Sequence, residues 1–273
     1  MSSVSSSGSS YWRRILESFS LNQPLPMPTD QQPLLLALSA AQGSGKSTLC
    51  QKLQQQWQQQ GLKVAVVSLD DYYLDRAERQ VLAQLVHPLC LQRGVPGTHH
   101  SGQLIDDLLA FLRGQAVAWR RFDKGTEQSY LDTPVQADIV LLEGWCLGLP
   151  AQPDEDLLLA VNQLEHQQDP QLIWRHWVNQ HLAGNYVQLN TLAAELAWLQ
   201  APDWATVCRW RSQQEEALWQ KGQGQDPAEL AEFMLYFERL TRFSPVLTSI
   251  ADCRLQLGPE RQWLQLSSRS SQH

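Results

Sequence analysis

Apolar residues fall along this chain in two kinds of pattern. Residues 34–39 (Leu-Leu-Leu-Ala-Leu-Ser) and 139–142 (Ile-Val-Leu-Leu) are short unbroken runs, and residues 64–68 and 196–199 read the same way. Runs of this length, bounded by small residues and turn formers, predict strands covered on both faces, as in a parallel sheet. Elsewhere the spacing is helical. Leu49, Leu53 and Trp57 recur every four residues, and Gly61 follows as a stop. Trp12, Ile15, Leu16 and Phe19 mark a short helix over 11–19. Leu104, Ile105, Leu108, Leu109 and Leu112 mark another, which Ser101 is positioned to cap. Residues 170–182, 204–220 and 227–241 also read as helices, and two strand-like stretches, 253–257 and 262–266, flank Gly258-Pro259.

The strand–helix–strand order of residues 34–68 is a βαβ unit. The expected fold is therefore α/β: a parallel sheet flanked by helices, with helical additions, which the loop described next makes a P-loop-type sheet. The expected organisation has two parts. Residues 1–33 form an N-terminal segment: a Ser-rich, disordered start, the short helix, and a linker with Pro24, Pro26, Pro28 and Pro33. Residues 34–273 form one domain with helical lid and substrate insertions.

Between the first strand and its helix lies Ala40-Ala41-Gln42-Gly43-Ser44-Gly45-Lys46-Ser47-Thr48. Gly43 and Gly45 let the backbone curl so that several N–H groups face one concavity, and the helix adds its positive end. Gln42 to Thr48 are thus the expected phosphate cradle, with Lys46 reaching the β- and γ-phosphates and Ser47 ligating Mg²⁺. Three further segments fit a phosphoryl-transfer site. Asp70 and Asp71 end the second strand, at the sheet edge where α/β proteins bind ligands. Glu143 ends the 139–142 strand, as the acid of a Walker B strand does. Arg209 and Arg211 lie on a helix that can close over a transferring phosphate. The loops holding Arg93 and His99, and Arg121, Asp123 and Lys124, offer guanidinium forks suited to an acidic small molecule.

Composition narrows this reading. With a formal net charge of −7 over 273 residues, nothing suggests a basic face for nucleic acid, which leaves room only for a local basic pocket. No apolar run approaches a membrane span, no secretory leader is evident, and the scattered cysteines (Cys50, Cys90, Cys146, Cys208, Cys253) fit reduced thiols; a cytoplasmic location is expected. The tryptophans and the Gln-rich run at 51–60 read as packing and a solvated helix face.

Taken in order, AAQGSGKST, SLDDYY, RGVPGTHH, RRFDKG, LLEGWCLG and WRSQQE, within residues 34–220, resemble the D-glycerate 3-kinase family, a branch near phosphoribulokinase, uridine kinase and bacterial pantothenate kinase. The resemblance implies an ATP- and Mg²⁺-dependent kinase of a small hydroxylated substrate. It implies Asp70 as general base, Lys46 and Ser47 as phosphate and Mg²⁺ ligands, Glu143 as the Walker B acid, and Arg211 with Arg209 as lid arginines. Arg93, His99, Arg121, Asp123 and Lys124 fall on its substrate side. D-Glycerate is the leading acceptor; a nucleoside or a pantothenate-like alcohol, or a nucleotide-gated regulatory role, are the alternatives. The chain departs from the family pattern at Ala40, in place of the first loop glycine, at His100, in place of Asp, and at 125–132, where the family tends to end in Gly-Asp-Arg.

Overall fold

The computed structural model describes residues 9–28, 33–219, 224 and 226–269, so the expectation for residues 1–8 lies outside them. Eight strands and ten helices are described. The central sheet has six strands in the order β2-β5-β1-β6-β7-β8. They are β1 (Leu34–Ala40), β2 (Val64–Ser68), β5 (Ile139–Gly144), β6 (Glu195–Gln200), β7 (Cys253–Leu257) and β8 (Trp263–Ser268). All pairings are parallel except β7–β8, which closes the chain as a hairpin.

The apolar runs are continuous because both faces of the sheet are covered. Along β1, Leu35 and Ala37 join one core cluster while Leu36 and Leu38 join the other. Val140 and Leu142 of β5 divide from Ile139 and Leu141 in the same way, as the period of two requires. The helices α1 (Tyr11–Ser20) and α2 (Lys46–Gln59) cover the second face, with Trp12, Ile15, Leu16, Leu53 and Trp57 fully buried. The N-terminal helix is fastened electrostatically as well. The Glu195 carboxylate, at the start of β6, accepts from the backbone N–H groups of Tyr11 at 2.7 Å and Trp12 at 2.8 Å, satisfying donors that a helix start leaves open.

The other face is covered by α4 (Ser101–Leu112), α7 (Ile173–Ala183), α8 (Asn185–Leu192) and α10 (Pro227–Phe243), through Leu104, Leu108, Val178, Leu189 and Phe237. A buried ion network joins this layer. Arg239 of α10 forks onto Glu165 of α6 (Gln163–Gln168) at 2.7 and 2.6 Å, and Arg175 of α7 meets Asp169 at 2.9 Å. Short α5 (Asp154–Leu157) supplies backbone carbonyls to both arginines.

Some local expectations change. Ser101 is the first residue of α4 rather than its cap; His100 holds the cap position, and the Ser101 hydroxyl accepts from Asn185. Residues 120–131 form a two-stranded ribbon, β3 (Arg120–Asp123) and β4 (Gln128–Leu131), where sequence suggested only a charged loop. The helix α9 (Trp204–Trp219), which carries Arg209 and Arg211, forms with α10 the crossover from β6 to its parallel neighbour β7. The helix α3 (Arg76–Leu85), with its Asp75–Glu78 capping box, had not been anticipated.

Candidate functional site

Register assembles the site. Glu143 of β5 pairs with Leu38 of β1 on one side and with Ser68 of β2 on the other. The glycine loop, the Asp70 turn and the Glu143 carboxylate therefore leave the sheet together at its C-terminal edge. Between β1 and α2, Gly45 takes a left-handed conformation (φ 90°), and no side chain caps the helix. Its first N–H groups are left for a ligand, with the helix dipole behind them. Gly43 has φ 70°, and a Cβ there would stand 2.7 Å from the backbone carbonyl carbon of Trp210. Only glycine lets the loop tuck beneath α9. Arg261, in the β7–β8 turn, donates to the Gly43 carbonyl at 2.6 Å and fixes the loop from the other side.

The loop opens onto a cleft of ≈ 1080 Å³. Because β1 lies inside the sheet, the cleft extends both ways from the loop. Toward β2 it is lined by Asp70, Tyr73, Arg93, Lys124 and Glu127; toward β7–β8 by Phe19, Lys52, Leu257, Arg261 and Trp263. The Phe19 and Trp263 rings stack with centroids 5.8 Å apart.

At the centre, the Ser47 hydroxyl donates to Glu143 Oε1 at 2.8 Å and Lys46 Nζ lies 3.9 Å from Oε2. Glu143 Oε2, Ser44 Oγ and both amide atoms of Gln42 are buried without a hydrogen-bond partner. Buried polar atoms are rarely left so, and these converge on the loop. Among the described residues no cluster of three or more His, Cys, Asp or Glu is placed to hold a metal. A site of one hydroxyl and one carboxylate suits Mg²⁺, which keeps waters and phosphate oxygens as its other ligands.

At the β2 end, Lys124 Nζ donates to Asp70 Oδ2 at 2.9 Å. Burial pushes the Asp70 carboxyl up, but Lys124, Lys46 and the Tyr73 hydroxyl together hold it well below the usual carboxylate range. Burial and the same Asp70 charge push the Tyr73 phenol up, so it stays a donor. Arg93 pairs with Glu127 and lies 5.8 Å over the Phe122 ring. Arg211 also lines the cleft; it pairs with Glu215 and sits 5.9 Å over the Phe233 ring.

Other expected residues stand apart. Arg121 is held by Asp71 at 2.8 Å and Asp132 at 2.7 Å and lines a separate groove behind β2. Asp123 is exposed and accepts from the Gly125 N–H at 2.8 Å, shaping the β3–β4 turn. His99 is buried beneath the site, with Nδ1 2.7 Å from the Tyr186 hydroxyl and its ring 4.7 Å from that of Tyr73. Burial lowers its pKa to about 4, so it supports Tyr73 as a neutral ring. Arg209 leaves the cleft for the Pro259 carbonyl at 2.7 Å. Sequence reasoning missed Glu127, Arg261 and the Phe19–Trp263 pair, which tertiary structure alone brings to the cleft, and Arg79, buried behind Glu127.

A glycine loop at the head of a parallel sheet, a Ser–Glu pair beneath it and an acid on the neighbouring strand define a P-loop kinase. Models of protein families give no match to the chain. It is 32% identical over 236 residues to "Uncharacterized kinase mug58" of Schizosaccharomyces pombe, covering 79% of this chain and 81% of that one. It is 29% identical over 222 residues to "D-glycerate 3-kinase, chloroplastic" of Arabidopsis thaliana, covering 75% of this chain and 46% of that protein's length. The solved structure of D-glycerate 3-kinase from Cryptococcus neoformans superposes with a TM-score of 0.71 at 23% identity, covering 94% and 96% of the two chains. The chain belongs to the same family of P-loop kinases as mug58, is similar to D-glycerate 3-kinases, and is an ATP-dependent small-molecule kinase. No helix among the described residues is long and apolar enough to cross a membrane.

Proposed function

We propose that the protein transfers the γ-phosphoryl group of ATP to a hydroxyl of a small hydroxy acid, with D-glycerate, giving 3-phosphoglycerate, as the first candidate. The observation that carries this is the Asp70–Lys124 pair, in the same cleft as Lys46 and next to Arg93. The acceptor hydroxyl attacks the γ-phosphorus, the bond to the β–γ bridging oxygen breaks, and ADP leaves. The hydroxyl proton passes to Asp70. A low pKa does not disqualify Asp70. Phosphoryl transfer is loose and asks chiefly for positioning, and an ionised carboxylate orients the hydroxyl throughout the neutral range.

Lys46 and the N–H groups of residues 43–48 take the phosphates, and Arg211 is the cleft-facing arginine of α9 available to the transferring group. Ser47 and Glu143 are the residues that would hold Mg²⁺, in keeping with the Glu143 Oε2 that lacks a hydrogen-bond partner. When bound, Mg²⁺ neutralises charge on the β- and γ-phosphate oxygens. With the γ-phosphate toward Asp70, the base points the other way, to the Phe19–Trp263 pair and Leu257. Arg93 is the guanidinium nearest the acceptor end suited to a carboxylate, which favours a hydroxy acid over a nucleoside.

The test is ADP release with D-glycerate, other hydroxy acids, nucleosides and pantothenate, with product masses measured. Turnover with a nucleoside and none with any hydroxy acid overturns the acceptor assignment.

A further inference from the structure

The β3–β4 turn places a carboxylate where an acid acceptor's own carboxylate belongs. Glu127 has φ 56°, a left-handed conformation that strains a non-glycine residue. The strain is held by cations. Glu127 pairs with Arg93 and lies 3.1 Å from Arg79 Nη2 and 3.7 Å from Arg76 Nη1. Arg79 is buried, 3% exposed, and the carbonyls of Leu74 and Leu91 already take its other nitrogens. A buried guanidinium needs an anion at its remaining face. In this structure the anion is Glu127, on the wall of the cleft that also holds Asp70. The same short turn carries Lys124, whose ammonium is bound to Asp70.

The geometry points to Glu127 as an internal competitor for the acceptor: its carboxylate occupies the Arg79–Arg93 fork, and the acid group of the acceptor displaces it. Glu127 is thereby a specificity-determining residue. A neutral alcohol cannot replace the anion that Arg79 needs, whereas a hydroxy acid can. Displacement frees the turn, and Lys124 moves away from Asp70 with it, so the carboxylate is released to the acceptor hydroxyl when an anionic acceptor has bound. This rests on the hydroxy-acid reading above.

Two substitutions and one measurement on the unaltered protein test it. Glu127→Gln removes the charge and keeps the shape; Glu127→Gly also relieves the backbone. Each is assayed with ATP and either D-glycerate or glycerol. Both are expected to lower KM for D-glycerate by about tenfold, the equivalent of one modest ion pair, to leave KM for glycerol unchanged, and to raise ATP hydrolysis without acceptor. An unchanged or raised KM for D-glycerate in both variants overturns the proposal. Hydrogen exchange at the amides of residues 124–128 needs no variant and no turnover. Sodium acetate, which has a carboxylate but no hydroxyl to phosphorylate, is added to the wild-type protein against potassium chloride at equal ionic strength. Faster exchange with acetate supports displacement; unchanged or slower exchange overturns it. Absence of wild-type turnover with any hydroxy acid refutes the functional reading, whereas the exchange result judges Glu127 separately.

Discussion

Asp70 is held as a carboxylate by neighbours that are themselves ligand-facing, and this sets its pH behaviour. An unfolded aspartate takes up its proton near 3.9. In the folded chain Lys124, Lys46 and Tyr73 outweigh burial and keep the value lower. The pairing therefore stabilises the fold above the unfolded value and is lost as pH falls toward the folded one. The acidic limb of kcat/KM is expected to lie below the ordinary carboxylate range. Lys124→Met is expected to move it upward, which a pH–rate profile measures directly. Asp70→Asn is expected to leave ATP binding within about twofold and to reduce transfer by roughly 10²–10⁴-fold; full turnover in that variant rules out the base. His99 shifts stability in the same direction, but through burial of a neutral ring rather than pairing of a charge. With a folded pKa of about 4 against 6.5, it is neutral in the native state and protonated in the unfolded chain between those values. Stability is fully present above pH 6.5 and falls by up to roughly 3 kcal/mol as pH drops to about 4. Urea midpoints across that range are expected to fall less steeply in His99→Asn.

At the scale of elements, the glycine loop is least tolerant of change. Gly43→Ala meets both the positive φ and the Trp210 backbone, so ATP affinity is expected to fall by more than tenfold with α9 displaced, as calorimetry would show. Away from the cleft, Glu165→Ala leaves the buried Arg239 guanidinium uncompensated, and a loss of about 3–5 kcal/mol is expected in chemical denaturation. The elements that sequence made legible are those whose own burial wrote the pattern: β1 and β5 open with unbroken apolar runs because both faces are covered, and α2 repeats Leu49, Leu53 and Trp57. The β3–β4 ribbon was hidden because its strands are four residues long and mostly polar, with pairing supplied by the partner strand rather than by a buried face. Arg121 shows the cost: in a loop it reads as a substrate fork, but in a strand it turns to Asp71 and Asp132.

For the whole molecule, the donor half of the cleft could be read from local motifs because a phosphate cradle is built from contiguous backbone. In the acceptor half Asp70, Arg93 and Lys124 could be singled out but not their meeting, and Glu127 was missed, since these residues come from three separate segments brought together by the packing of α3, β3 and β4. The same holds at the opposite end, where Phe19 and Trp263 stand almost at the two termini of the sequence.

The docking of α1 through Glu195 then has a thermodynamic consequence. With the nucleobase against Phe19 as proposed, ATP would contact the first helix and the last hairpin at once, and ligand occupancy would act as a clasp between these two elements. Any species that binds only the docked arrangement stabilises it in proportion to RT ln(1 + [L]/Kd). Hydrogen exchange in α1 is expected to slow as ATP rises, by the factor by which ATP exceeds its Kd, and to lose that dependence in Phe19→Ala.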